Sequence, residues 1–205
     1  MALSAFSLNC TLKSWPEPSS TDKLLDEVAH ALQRHGVHTS GTRVVQHPVK
    51  PGVSADEGEG DAWPALRKQI LDADILVLGT PIWLGQPGSV AKRVLERMDA
   101  FLGEADARGR YPTYGHVAVV AVVGNEDGAH HVTAELYQAL ADVGFTVPAA
   151  GATYWVGEAM GSTNYLDLEK TPGKVASANA MLASNAAHLA ALLKGEPYPG
   201  CEAVE

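Results

Sequence analysis

Two runs constrain this chain more than any others: Ile75-Leu-Val-Leu78 and Val117-Ala-Val-Val-Ala-Val-Val123. Neither alternates apolar with polar residues, so a strand made from either must be covered on both faces. After each comes a glycine-containing loop and then a helical repeat. Val90, Val94 and Met98 recur behind the first, with Lys92, Arg93, Glu96 and Arg97 between them. Val132, Leu136, Leu140 and Val143 recur behind the second. Buried strands joined by amphipathic crossover helices are the signature of a parallel sheet between helical layers.

The remaining chain repeats this unit. Ala2 to Leu8 reads as a first strand, and Leu24, Leu25, Val28 and Leu32 as the face of a helix capped by Ser20 or Thr21 and stopped by Gly36. Thr42 to Gln46 reads as a second strand. Asp61 is expected to cap a helix that carries Pro64 in its first turn and turns Trp63, Leu66, Ile70 and Leu71 inward. The third strand is expected to stop at Gly79 and Pro81. Thr146 to Val156 reads as a last strand, at a sheet edge because of Pro148. A helix over Lys174 to Lys194 closes the fold. Strand and helix thus alternate five times, predicting an α/β, doubly wound, five-stranded parallel sheet of order 2-1-3-4-5 with helices on both faces. Residues 1–195 form the domain in this reading, and 196–205 a tail docked through Tyr198.

Ligands of such sheets bind outside the carboxyl ends of the strands, where the strand order reverses. The loops after strands one and three meet there. The first, Asn9 to Thr21, is rich in hydroxyls and leads into a helix N-terminus. Thr11, Ser19, Ser20 and Thr21 add donors to the helix amides, and Lys13 adds charge, which suits an anion such as a phosphate monoester. The competing reading is a capping cluster in an irregular loop. The spacing matches neither a nucleotide P-loop nor a dinucleotide glycine fingerprint. In the second loop, Thr80 to Gly88, the large residues Ile82, Trp83 and Leu84 fall where a loop should face solvent. They cover something flat and apolar, or Trp83 folds back onto the core. A third loop, Gly124-Asn-Glu-Asp-Gly128, is a tight turn between two glycines.

Several classes are disfavoured. A net charge of −9 with no Lys/Arg run offers no track for nucleic acid. Cys10 and Cys201 form neither a disulfide framework nor metal spacing, which favours a reducing cytoplasm. No run approaches the length of a membrane span. His130 and His131 are adjacent and lack the spacing of a metal site, with or without His116; they read as a surface pair at a helix start, His130 lining the pocket. No Ser-His-Asp order or nucleophile elbow is present.

The motifs LNCTLKSWPEPSSTDKLL, LGTPIWLGQPGSVAKRVLERMD and VVGNEDGAHH, supported by ATYWVGEAM, resemble those of the flavodoxin-like NAD(P)H-dependent FMN reductases and related NAD(P)H-dependent oxidoreductases. The second motif is the most specific. The first departs from the commoner Gly-Ser-x-Arg form, with Lys13 standing near the arginine position as a point charge rather than a fork. The resemblance implies FMN as cofactor and NAD(P)H as co-substrate. It assigns Thr11, Lys13, Ser19, Ser20 and Thr21 to the phosphate. Pro81, Ile82, Trp83, Leu84 and Gly85 would flank the flavin ring, and Gly124, Asn125, Glu126, Asp127 and Gly128 would close its pyrimidine side. Hydride would pass from nicotinamide to the flavin and electrons onward to a small acceptor such as a flavin or quinone, with Trp83 and Tyr154 shaping the acceptor site. No side chain need act as acid or base. A homodimer is implied by the same resemblance.

Two rivals stay open at this point. One is a flavodoxin-type FMN electron carrier without its own NAD(P)H reaction; the extra loops Gly103 to Gly115 and Gly157 to Gly173 speak against it. The other is a flavodoxin-like domain that has lost its cofactor and acts through protein contacts; the hydroxyl loop speaks against that.

Overall fold

A computed structural model describes residues 2–201; Met1 and the last four residues of the expected tail lie outside it. The chain runs β1 (Leu3–Asn9), α1 (Ser20–Gln33), β2 (Val37–Arg43), α2 (Trp63–Asp72), β3 (Ile75–Trp83), β4 (Gln86–Pro87), α3 (Ser89–Met98), β5 (Val117–Val123), α4 (Ala129–Asp142), β6 (Ala152–Trp155) and α5 (Gly173–Gly195). The parallel sheet has the order β2-β1-β3-β5-β6, and β4 is a two-residue strand pairing only with β3. Counting parallel strands alone, this is the expected order, with the reversal between β1 and β3.

β5 shows why an unalternating run was needed. Val117, Val119, Ala121 and Val123 enter the core under α1 and α5. Ala118, Val120 and Val122 enter the opposite core, under α2, α3 and α4. Each buried valine contributes about 1.5–3 kcal/mol relative to exposure, and a single polar residue here would face one of the two layers unsatisfied.

Several boundaries differ from the sequence reading. β2 is Val37–Arg43, and Val44–Gln46 is a 3-10 turn. As the sheet's edge strand, β2 leaves His38, Ser40 and Gly41 exposed, so it carries no apolar signature; the apolar Val44 beyond it packs into the core instead. β6 is only Ala152–Trp155. Thr146 makes a single bridge to Val117, and Pro148, which has no N–H to give a ladder, begins a turn closed by Gly151. β3 runs past Gly79 and Pro81 to Trp83. β1 leaves it at Gly79 and β4 pairs only with Ile82 and Trp83, so Pro81 has no ladder partner in either of these strands, and proline is tolerated there.

The cap of α1 is Ser19, whose side chain accepts the Thr21 N–H at 3.2 Å. α2 begins after Ala62 rather than Asp61. Asp61 still accepts the Trp63 N–H, and also those of Lys50 and Glu57. Its other partner is Arg97, which sequence periodicity puts on a polar face. Both side chains are fully buried, 2.8 Å apart. Arg97 also donates to the Lys50 carbonyl and lies over the Trp63 ring. Burial alone would raise the Asp61 carboxyl, but three backbone donors and Arg97 outweigh it and hold the group down at about 2. At the other end of the chain, Tyr198 packs edge-on against Tyr114 and meets the Thr146 hydroxyl at 3.1 Å.

Candidate functional site

The carboxyl ends of β1, β3 and β5 open into a cleft of about 170 Å³. Its polar end is the N-terminus of α1. Thr11 and Ser19 are almost completely buried there, and the Ser19 hydroxyl donates to Thr11 Oγ1 at 3.1 Å. Asn9 Oδ1 accepts the Thr11 N–H at 2.8 Å, and Thr11 Oγ1 accepts the Lys13 N–H at 3.3 Å. The loop is therefore wound on its own hydroxyls, and its donors converge with the positive end of the helix dipole. Lys13 lines the cleft, but its ammonium is shared between Glu17 at 3.3 Å and the Pro18 carbonyl at 3.2 Å. Cys10, beside this loop, is buried, and burial pushes its thiol far above the usual range. It packs and does not react.

The apolar wall comes from the end of β3. Pro81, Ile82 and Trp83 line the cleft. Ile82 is only 3% exposed, so it is a core residue rather than part of an exposed loop. Trp83 is 54% exposed and does not fold back onto the core. The expected solvent-facing loop is a hairpin: Ile82 and Trp83 pair with Pro87 and Gln86, and the turn residues Leu84 and Gly85 have φ of 53° and 73°. That is the left-handed pair a two-residue type I′ turn demands. Thr80 Oγ1 ties the hairpin's base by accepting the Gly88 N–H at 3.1 Å.

Of the third loop, Gly124 and Asn125 reach the cleft. Glu126, Asp127 and Gly128 do not line it, and neither do Leu84 and Gly85. These five meet one another instead. Glu126 Oε1 accepts the Leu84 N–H at 2.9 Å, and Gly128 lies against the Gly85 backbone. His130 is outside the cleft as well, perpendicular to the Tyr154 ring with its Nε2 3.0 Å from the phenol oxygen. His131 pairs with Glu135 at 2.7 Å.

Six lining residues escaped the sequence reading: Leu12, Val123, Trp155, Asn164, Tyr165 and Leu166. The last three come from the long loop after β6, which folds back over α1. The Leu166 N–H bonds Ser20 Oγ at 3.3 Å, and Lys23 Nζ reaches the Tyr165 carbonyl at 3.1 Å. The Tyr165 phenol donates to Glu27, a carboxylate also held by Thr171 and Asn179. Burial first, and then this carboxylate, push the phenol well above its usual value, so Tyr165 stays a neutral donor. Trp155 leans against its ring with centroids 5.3 Å apart. The capping box Asn164–Asp167 was the available signal for this ordered turn.

An anion cradle at a helix N-terminus, opening beside two tryptophans at the reversal of a parallel sheet, defines a flavodoxin-like α/β protein with a cleft for a flat phosphorylated ligand. The chain belongs to the NADPH-dependent FMN reductase family, whose model matches residues 8–160. It is 34% identical to the 8-demethyl-8-aminoriboflavin-5′-phosphate synthase of Streptomyces davaonensis, over 97% of this chain and 81% of that one. The crystal structure of RosB with bound 8-demethyl-8-formylriboflavin-5′-phosphate superposes with a TM-score of 0.85, at 33% identity over 96% of this chain and 82% of the other. A flavone reductase aligns with a TM-score of 0.68 at 12% identity, covering 97% of this chain and 66% of that one, which supports the fold alone. The chain is also 40% identical, over 80% of its length, to the divalent metal cation transporter MntH of Mycobacterium bovis, but spans only a quarter of that relative. Among the described residues no helix is long and apolar enough to cross a membrane.

The residues present fit FMN. The hydroxyl-lined helix end suits a phosphate, and Leu12, Pro81, Ile82, Trp83, Val123 and Trp155 give the cleft apolar and aromatic walls, with Asn125 and Asn164 as polar groups beside them. Gly124 provides the close fit at the sheet's end, since a Cβ there would stand 3.0 Å from Ile82 Cβ.

Proposed function

We propose that this protein is an FMN-dependent oxidoreductase that uses NAD(P)H to reduce a small acceptor, a flavin, quinone or similar molecule. The observation that carries this reading is the joining of the α1 anion cradle to the Trp83 and Trp155 walls in one cleft. Thr11, Ser19, Ser20 and Thr21 would hold the phosphate with the first-turn amides of α1. Lys13 supplies charge at the rim. Pro81, Ile82 and Trp83 would flank the ring on one side, and Gly124 and Asn125 would approach it through backbone. Bound FMN supplies the hydride-accepting and electron-donating ring. The chain's own part is orientation and shielding: Tyr165 and Trp155 close the α1 side against water, and Glu126 holds the hairpin turn.

Trp83 and Tyr154, both substantially exposed, are placed in this reading at the acceptor's approach. The exposed apolar residues Leu12, Trp83, Leu84 and Met160 further support a homodimer that covers this rim, and a cytoplasmic setting accords with the nicotinamide supply. Steady oxidation of NADPH or NADH by the protein in the presence of FMN and a quinone supports the reading over an electron carrier. Bound FMN that turns over neither nicotinamide contradicts it.

A second reading is favoured by the similarity at 34% identity to an aminoriboflavin-phosphate synthase: the flavin phosphate would be a substrate modified at the ring. Mass spectrometry of the flavin recovered after turnover separates the two. An unchanged FMN mass supports the reductase.

A further inference from the structure

Behind the hydroxyl loop, and outside the cleft, lies a cluster that the reading above leaves unused. Arg43, the last residue of the edge strand β2, is 5% exposed although it sits at the sheet's border. Its guanidinium forks onto both carboxylate oxygens of Asp22 in the first turn of α1: Nε reaches Oδ1 at 3.1 Å, and Nη2 pairs with Oδ2. The third face of the fork, Nη1, donates to the Lys13 carbonyl at 3.0 Å. Trp15 lies over the guanidinium, 5.6 Å from ring centroid to Cζ. Asp22 Oδ1 also accepts the Asn9 side-chain amide, whose oxygen in turn takes the Thr11 N–H. One arginine thus ties together the start of α1, the middle of the loop and, through Asp22 and Asn9, the loop's first hydroxyl residue.

We propose that Arg43 is a positioning residue for phosphate recognition: it holds the Thr11–Ser19 loop against the N-terminus of α1 in the shape that binds a 5′-phosphate monoester. The proposal rests on the FMN reading of the cleft. A planar fork with three bonded faces fixes a loop in a way a lysine cannot, because an ammonium offers no rigid geometry. Neutralising Asp22 with Arg43 also keeps a bare carboxylate away from the place where a phosphate would sit. The site therefore distinguishes FMN from riboflavin through a residue that contacts neither.

The test compares dissociation constants for FMN and riboflavin, read by flavin fluorescence quenching, in the wild-type chain, Arg43→Lys, Arg43→Met and Asp22→Asn, with thermal melting of each. FMN affinity is expected to fall by about tenfold or more in Arg43→Met while riboflavin affinity stays within about threefold. Arg43→Lys should recover only part of the FMN preference, and Asp22→Asn should lose it similarly by breaking the fork from the other side. If wild type binds neither flavin, the FMN reading itself fails. If wild type prefers FMN and the folded variants keep that preference, or lose both ligands in parallel, the positioning role is overturned. Should Arg43→Met not fold, the lysine and Asp22 variants decide on the same criterion.

Discussion

Gly128 meets Gly85 backbone to backbone: a Cβ on Gly128 would stand 2.8 Å from the Gly85 Cα. This contact joins the loop after β5 to the hairpin turn after β3, just beyond Trp83. Gly128 has a φ of 122°, a region that side chains rarely adopt. Gly128→Ala should therefore cost about 1–3 kcal/mol, lowering the melting temperature by several degrees. It should also weaken FMN binding, because the hairpin must move. Calorimetry and a fluorescence titration check both parts.

Leu84 is the opposite case. It is 91% exposed and adopts a φ of 53°, so it has left-handed strain with almost no burial in return. Leu84→Asn would create the Asn-Gly pair that a type I′ turn prefers. A gain of about 1 kcal/mol is expected, seen as a raised melting temperature. If a partner copy or acceptor covers Leu84, the same change should weaken that contact, which light scattering and the acceptor's KM report.

Asp61 and Arg97 predict a pH dependence. Asp61 titrates at about 2 in the folded chain, against about 4 when unfolded. A group depressed in this way stabilises the fold above its unfolded value, and that contribution is lost as pH falls from about 4 through about 2. Asp61→Asn leaves Arg97 buried without its counter-charge and should cost about 3–5 kcal/mol. In this variant the stability lost between pH 5 and pH 2 should be smaller than in wild type, measurable by denaturant unfolding across that range.

The central units were legible because their chemistry is local. β5 has no polar residue to spend, and the helices after β3 and β5 keep their spacing, so sheet order and the position of the cleft followed. What the sequence hid is set by tertiary context. Sequence alone puts β2 at Thr42 to Gln46 rather than Val37–Arg43, because an edge strand needs few apolar residues and the apolar pair Val44 and Val45 lies just beyond it. Arg97 looks like a surface residue because its partner, Asp61, lies 36 positions away (97 minus 61). Leu84 and Gly85 did not read as a hairpin turn because leucine is a poor residue for it. Asn164, Tyr165 and Leu166 reach the cleft in a loop that Ser20, Lys23 and Glu27 on α1 hold, and no periodicity announces such a latch. Thr11, Lys13, Ser19 to Thr21, Pro81 to Trp83, Gly124 and Asn125 do meet in one cleft. Leu84 and Gly85 do not line it and contact Glu126, Asp127 and Gly128 instead.

The central claim is that this cleft takes FMN and that NAD(P)H reduces it there. The most direct measurement is the visible spectrum of the protein mixed anaerobically with FMN and then with NADPH, repeated with NADH. The account predicts a flavin band perturbed by binding and then bleached by at least one nicotinamide, faster than free FMN under the same conditions. An FMN spectrum and fluorescence unchanged by the protein, or a bound band that neither nicotinamide bleaches, would contradict it.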